Sequence, residues 1–312
     1  RVSSSAPRRR PRPLRGGDFS NEQVCVKWDR DGADWPNRAQ SRFVLAKPHR
    51  WHVQEAGTGP TLLLLHGAGA STHTWRDLFP DLASDHHVVA IDLPGQGFTE
   101  LGARSRCGLE PMVADIIALL ADQGVTPDAI IGHSAGAVIA AQLALDLADK
   151  PKALICFNGA FGHFRGLAGV LFPMAAKLLS MNPLTAPFFA RMARSPNAAR
   201  NLLASTGSTI DASGVAFYQR LISDSRHVDG ALAMMAQWEL SPLLRRLQEI
   251  ETPTLLIVGE KDGSVPPDTA DAVLAQMKTA EVKTFADYGH LLHEEAPALA
   301  AEEIRRFLST HL

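Results

Sequence analysis

The sequence predicts an α/β fold: a mostly parallel central sheet with helices on both faces and an inserted helical cap. Three observations predict it. Short continuous apolar runs, "TLLLLHG", "DAIIG", "KALICFNG" and "TPTLLIVGE", read as strands buried on both faces. They alternate with stretches of helical pattern, the signature of parallel crossover units. Between about 160 and 248 the strand signal vanishes, and the alternation resumes after it.

The elements follow in order. "SRFVLAK" and "RWHVQEAG" predict an opening antiparallel pair, and "TLLLLHG" (61–67) a buried strand ending in glycine. A helix is expected near 71–84, with Ser71 or Thr72 as its N-cap. "HHVVAIDLPG" is the next strand and "PMVADIIALLAD" an amphipathic helix. Then come the strand "DAIIG", a helix from Ala135 and the strand "KALICFNG". Beyond the cap, "TPTLLIVGE", a helix at about 267–277, "AEVKTFAD" and a helix at about 294–309 complete the pattern. The expected division is a flexible basic arm (1–20), a core (21–160 and 249–312) and a cap (161–248). The cap is unusually apolar, with "LAGVLFPMAAKLLSM", "PLTAPFFARMA" and "ALAMMAQWEL". Most of that surface is expected to pack on the core, with some facing the crevice at the strand ends.

Composition excludes several classes. In 312 residues, 46% hydrophobic content fills a sizeable core, and a formal net charge of -2 argues against nucleic-acid binding. Three scattered cysteines imply neither a disulfide framework nor a metal knuckle, which fits a reducing cytoplasm. The twelve histidines are scattered too, so no metal site is expected. Nucleotide-binding glycine patterns are absent, and no cofactor is predicted. No apolar run is long enough for a transmembrane helix, and no apolar core follows the basic start as in a signal peptide. The six arginines before Asp18 read as a solvated tail, or as a polybasic arm that touches an anionic membrane or an acidic partner.

The chemistry concentrates at strand ends. "GHSAG" puts Ser134 on a sharp strand-to-helix turn, where small neighbours (Gly132, Ala135, Gly136) let the two backbones approach. A serine nucleophile needs a base, and the base an orienting acid. "GEKDGSVPP" places Asp262 just past one buried strand, and "GHLLHEE" places His290 just past the last. Alone, Asp262 reads as a turn residue and His290 as a helix cap. Together, in the order serine, acid, histidine, they read as a catalytic triad. Glu260 lies closer to its strand body, His293 reads as surface or supporting, and "CFNGAFG" offers Asn158 but no carboxylate. An oxyanion hole needs two aimed N–H groups. Ala135 supplies one, and Ala68 in "HGAGAS" is the candidate for the second. Gly67, His66 and His133 are expected to shape the pocket, His66 structurally, with "DLPGQGFT" as its floor.

These motifs resemble the α/β-hydrolase superfamily over roughly residues 41–312. Within it, "DWPNR", "RWHVQEAGTGPTLLLLHGAGASTHTWRDL", "NPLTAPFFARMA", "STGSTIDASGVAFYQRLI" and "HVDGALAMMAQWEL" are similar to the magnesium-chelatase accessory hydrolases of bacteriochlorophyll biosynthesis. That resemblance implies an α/β-hydrolase fold and a role near magnesium insertion into protoporphyrin IX. It implies chelatase subunits and porphyrin, free or magnesium-bound, as partners, and a cytoplasmic place beside the photosynthetic membrane. Two other readings stay open at this point: a non-catalytic porphyrin-binding accessory, and a generic serine esterase or carbon–carbon-bond hydrolase. Halide- and epoxide-processing relatives carry an aspartate at the elbow, so Ser134 argues against those chemistries.

Overall fold

The computed structural model describes residues 27–162 and 182–312. The basic arm and "LAGVLFPMAAKLLSM" lie outside the described residues. An eight-stranded sheet forms the centre: β1 (Ser41–Ala46), β2 (His49–Ala56), β3 (Thr61–Leu65), β4 (His87–Ile91), β5 (Ala129–His133), β6 (Ala153–Phe157), β7 (Thr254–Gly259) and β8 (Ala280–Phe285). Their spatial order is β1-β2-β4-β3-β5-β6-β7-β8. β2 runs antiparallel to both neighbours, and every other pairing is parallel.

Alternation along each strand feeds two separate cores. Leu63, Leu65, Ile130, Leu154, Cys156 and Leu256 face the helices Leu109–Gln123 and Ala135–Asp146. Leu62, Leu64, Ile131, Ile155, Phe157, Leu255 and Ile257 face Leu78–Leu82 and Pro297–Leu308. Both faces being covered explains why β3, β5, β6 and β7 read as unbroken apolar runs. Ala135–Asp146 is buried from Ala135 through Ala144. A helix apolar all round belongs in a core, and its small residues let it lie close to the sheet.

Two expected helices are broken. Residues 71–84 form a 3₁₀ turn at Thr72–Trp75 and a separate short helix at Leu78–Leu82. Neither Ser71 nor Thr72 caps it: Ser71 Oγ pairs with His73 Nδ1 at 2.7 Å, and the Thr72 N–H donates to Asp92 Oδ1 at 2.6 Å. Pro80 lacks the N–H that would bond the preceding turn, so the helix restarts with proline in its first turn. The C-terminal helix divides likewise into Leu292–Glu295 and Pro297–Leu308, with Pro297 opening the second piece. Between β6 and β7 the described residues carry helices at Thr185–Met192, Ala198–Ser205, Ala212–Ile222, Ser225–Ala236 and Ser241–Leu244.

Candidate active site

Ser134 sits between β5 and the helix Ala135–Asp146 with φ 54° and ψ -116°. That backbone is strained for an L residue and is held by its surroundings. The Ser134 N–H donates to Phe157 O at 2.9 Å, and Ser134 O accepts from Ala137 and Ala160, each at 3.1 Å. The approach is close: a Cβ on Gly136 would come within 2.1 Å of Leu65 O. A Cβ on Gly67 would lie 3.0 Å from Ser134 Cβ and 2.9 Å from His133 Nδ1, so the "HGAGAS" turn lies directly against the elbow.

Asp262 follows β7 and His290 follows β8, and the two meet. His290 Nδ1 lies 2.7 Å from Asp262 Oδ2. The other carboxylate oxygen, Oδ1, accepts the N–H groups of Ser264 at 2.7 Å and Val265 at 2.8 Å. The carboxylate is thereby aimed at the imidazole, and both side chains are nearly buried. Neighbouring residues fix the His290 backbone. His133 Nε2 donates to His290 O at 2.9 Å, Asn158 Nδ2 donates to the same oxygen at 2.8 Å, and Glu295 accepts the Gly289 N–H at 2.8 Å. The His133 ring stands 4.7 Å from that of His290 and 4.4 Å from that of His293. Burial pushes the pKa of both His133 and His293 well down, so neutral rings back His290. His293 is therefore buried, and its Nε2 lies 2.7 Å from Thr74 Oγ1.

His66 is fully buried and pins one loop to another. Its Nδ1–H donates to Gly67 O at 2.8 Å, and its Nε2 accepts the Leu93 N–H at 2.9 Å. Burial lowers its pKa, in keeping with a neutral structural ring. Gly69, beside Ala68, is gripped through both of its backbone polar groups. Its N–H donates to Gln96 Oε1 at 2.7 Å, and its carbonyl accepts from His227 Nε2 at 3.1 Å. His227 Nδ1 accepts the Gly97 N–H at 3.0 Å, so one residue of the helix Ser225–Ala236 ties together the "HGAGAS" and "DLPGQGFT" loops. The Ala68 N–H has no acceptor among the described residues. The Ala135 N–H opens a helix and has no acceptor within it.

Asp92 braces the same loops. Its carboxylate accepts the Thr72 and Phe98 N–H groups at 2.6 and 2.9 Å and lies 2.7 Å from His52 Nδ1. Burial raises its pKa, but His52, His66 and the Phe98 amide outweigh burial and bring it to about 2. A depressed carboxyl adds stability above its unfolded value, about 4, and loses it as pH falls toward about 2. Roughly 2 kcal/mol is expected to disappear over that window. Urea unfolding of wild type and Asp92→Asn between pH 6 and pH 3 checks this: the gap between them must shrink as pH falls.

Asn158, Gln96, His227 and Glu295 are the positions that sequence reasoning missed as supports of this site. Each acts on a backbone group distant in the chain, which no local spacing marks. Asn158 alone carried a signal, because "FNG" ends a buried strand at the edge where the elbow emerges. Among the described residues there is no cluster of metal-ligating side chains.

A mostly parallel sheet with a strained serine elbow, and an Asp–His pair at its last two strand ends, defines an α/β hydrolase. A family model described as alpha/beta hydrolase fold matches residues 60–297, and the chain belongs to that family. Over 266 residues it is 45% identical to the magnesium-chelatase 30 kDa subunit of Rhodobacter capsulatus, covering 85% of this chain and 93% of that protein. It is 25% identical over 279 residues to the 2-hydroxymuconate semialdehyde hydrolase of Pseudomonas sp. (strain CF600), covering 86% and 93%. Among solved structures, the esterase EaEST of Exiguobacterium antarcticum matches with a TM-score of 0.70 at 16% identity, over 86% of this chain and 98% of that one.

Proposed function

We propose that this protein is a serine hydrolase acting as a magnesium-chelatase accessory factor in bacteriochlorophyll biosynthesis. Likeness over nearly full length to the magnesium-chelatase 30 kDa subunit supports the accessory role. The observation that carries the hydrolytic half is the 2.7 Å bond from His290 Nδ1 to Asp262. That bond leaves Nε2 as the free basic nitrogen.

In this mechanism Ser134 Oγ attacks a carbonyl while His290 Nε2 takes its proton and then protonates the leaving group. Asp262 holds the tautomer and stabilises the imidazolium. The N–H groups of Ala68 and Ala135 receive the oxyanion. Water, activated by His290, releases the acyl group and restores Ser134. We read the helices between β6 and β7 as a cap over the strand ends, and the apolar composition of residues 160–248, with the likeness to a magnesium-chelatase subunit, supports protoporphyrin IX or its magnesium form as ligand. We assign the protein to the cytoplasm, where it works beside the chelatase subunits. Among the described residues no helix is long and apolar enough to cross a membrane.

The grip on Gly69 yields a prediction. Gln96→Leu frees the Ala68–Gly69 peptide and lets the adjoining Ala68 N–H drift. A fall of about 10- to 100-fold in kcat is expected, with KM within about twofold, measured on p-nitrophenyl esters. An unchanged kcat would remove Ala68 from the mechanism.

A non-catalytic accessory is the second reading, favoured by the fact that the 45% identical relative is named as a chelatase subunit rather than a hydrolase. Expression of Ser134→Ala in cells lacking the native protein separates the two. Loss of both ester hydrolysis and pigment supports the catalytic role. Normal pigment without hydrolysis supports the accessory that only holds porphyrin. Pigment unaffected by deletion of the whole protein overturns the pathway assignment. An absorbance titration with protoporphyrin IX tests the ligand directly.

A further inference from the structure

The helix Thr185–Met192 presents its residues the wrong way round for a helix facing water. Its small residues point inward: Ala186 and Ala190 are buried, and the helix packs on Ser225–Ala236. Its bulky apolar residues point outward. Leu184, Phe188 and Met192 are 71%, 59% and 60% exposed. At i, i+4 and i+8 they form one line, and Phe189 stands beside it, its ring 5.7 Å from that of Phe188. Single exposed apolar residues are ordinary, but a continuous row on one helix marks a surface that meets something apolar.

Charge says what that is. From 182 to 210 the chain contains Arg191, Arg194 and Arg200 and not one aspartate or glutamate, in a protein whose net charge is -2. All three arginines are exposed. We infer that this face docks on an anionic bilayer surface, with Leu184, Phe188 and Met192 entering the acyl boundary and the arginines at the level of the lipid phosphates. A second copy of the chain fits poorly, because a two-fold contact through this row would bring two sets of arginines together.

The inference does not rest on the hydrolytic reading and is tested without substrate. The full chain is sedimented with vesicles of phosphatidylcholine alone, or of phosphatidylcholine and phosphatidylglycerol at roughly 7:3. Three screened cations and three inserted side chains are expected to raise the bound fraction about tenfold or more on the anionic vesicles. Changing Leu184, Phe188 and Met192 to serine, or Arg191, Arg194 and Arg200 to glutamine, is expected to remove most of that gain. All six positions are exposed, so thermal unfolding should match wild type. The arginine set is the safeguard if the serine set unfolds. Both sets retain the basic arm at 1–20. Full binding by either folded variant would mean that the arm alone holds the membrane, and the inference would fall. It would fall equally if wild type bound neutral and anionic vesicles alike.

Discussion

Ser134→Ala and His290→Ala are each expected to lower kcat/KM for a short p-nitrophenyl ester by about 10⁴- to 10⁶-fold, and the double variant to be no worse than either. The three groups of the proposed triad act as one unit, so removing any part removes the covalent route. What survives is binding and oxyanion stabilisation, worth about 10³-fold or more over water. Asp262→Asn should cost about 10⁴-fold, because an amide facing Nδ1 at 2.7 Å favours the wrong imidazole tautomer. Folding should be untouched in Ser134→Ala, since the strained elbow is held by backbone bonds to Phe157, Ala137 and Ala160. Losses that add across the double variant would mean that Ser134 and His290 do not work together.

Arg76→Met is expected to be the most destabilising of these changes, by about 3–5 kcal/mol. Glu294 is wholly buried and bonds the Arg76 guanidinium, while its Oε1 accepts from Thr74 Oγ1 at 2.5 Å and from Tyr218 OH at 2.7 Å. Arg76 also reaches Asp211 at 3.0 Å, the N-cap of Ala212–Ile222, so the network joins a helix between β6 and β7 to the turn after β3 and to the C-terminal helix segment Leu292–Glu295. Without the guanidinium a buried carboxylate is left uncompensated. Burial already raises the Glu294 pKa, against the pull of Arg76, Thr74 and Tyr218. A raised carboxyl binds more protons folded than unfolded, so stability falls as pH rises above about 4. The Arg76→Met deficit must therefore be larger at pH 8 than at pH 5 in urea melts. Arg76→Met with Glu294→Gln should regain most of it, since no buried charge then remains. A deficit independent of pH would place the loss in packing rather than charge.

The legible part of this molecule is the part written in short-range pattern. Apolar runs mark β3 to β7, and the glycines around Ser134 announce a turn where two backbones touch. Asp262 and His290 stand in the string just past recognisable strands, so their shared edge follows from the fold class. Long-range polar bonds leave no such mark. Nothing near Gln96 or His227 says that both will grip Gly69, and His293 looks like a surface position until the Trp75 and His133 rings close over it. The expected helix over 71–84 failed for a similar reason. Asp92, twenty residues from Thr72, fixes the start of that stretch by accepting the Thr72 amide, and the helix resumes only around Pro80.

One junction bears on how such a molecule can be altered. Thr206 O, in the link between Ala198–Ser205 and Ala212–Ile222, accepts the N–H groups of both Gly263 and His290, at 3.0 and 3.2 Å. Next to it Gly207 has φ 77°, and a Cβ there would overlap Lys261 O at 1.7 Å. The Asp262 loop and the His290 loop are thus moulded around a stretch of chain between β6 and β7. A chimera that grafts another relative's helices onto this sheet inherits that constraint. It must carry residues 206–208 with it or exchange both loops as well, and deleting the helices between β6 and β7 would remove the acceptor of the His290 amide.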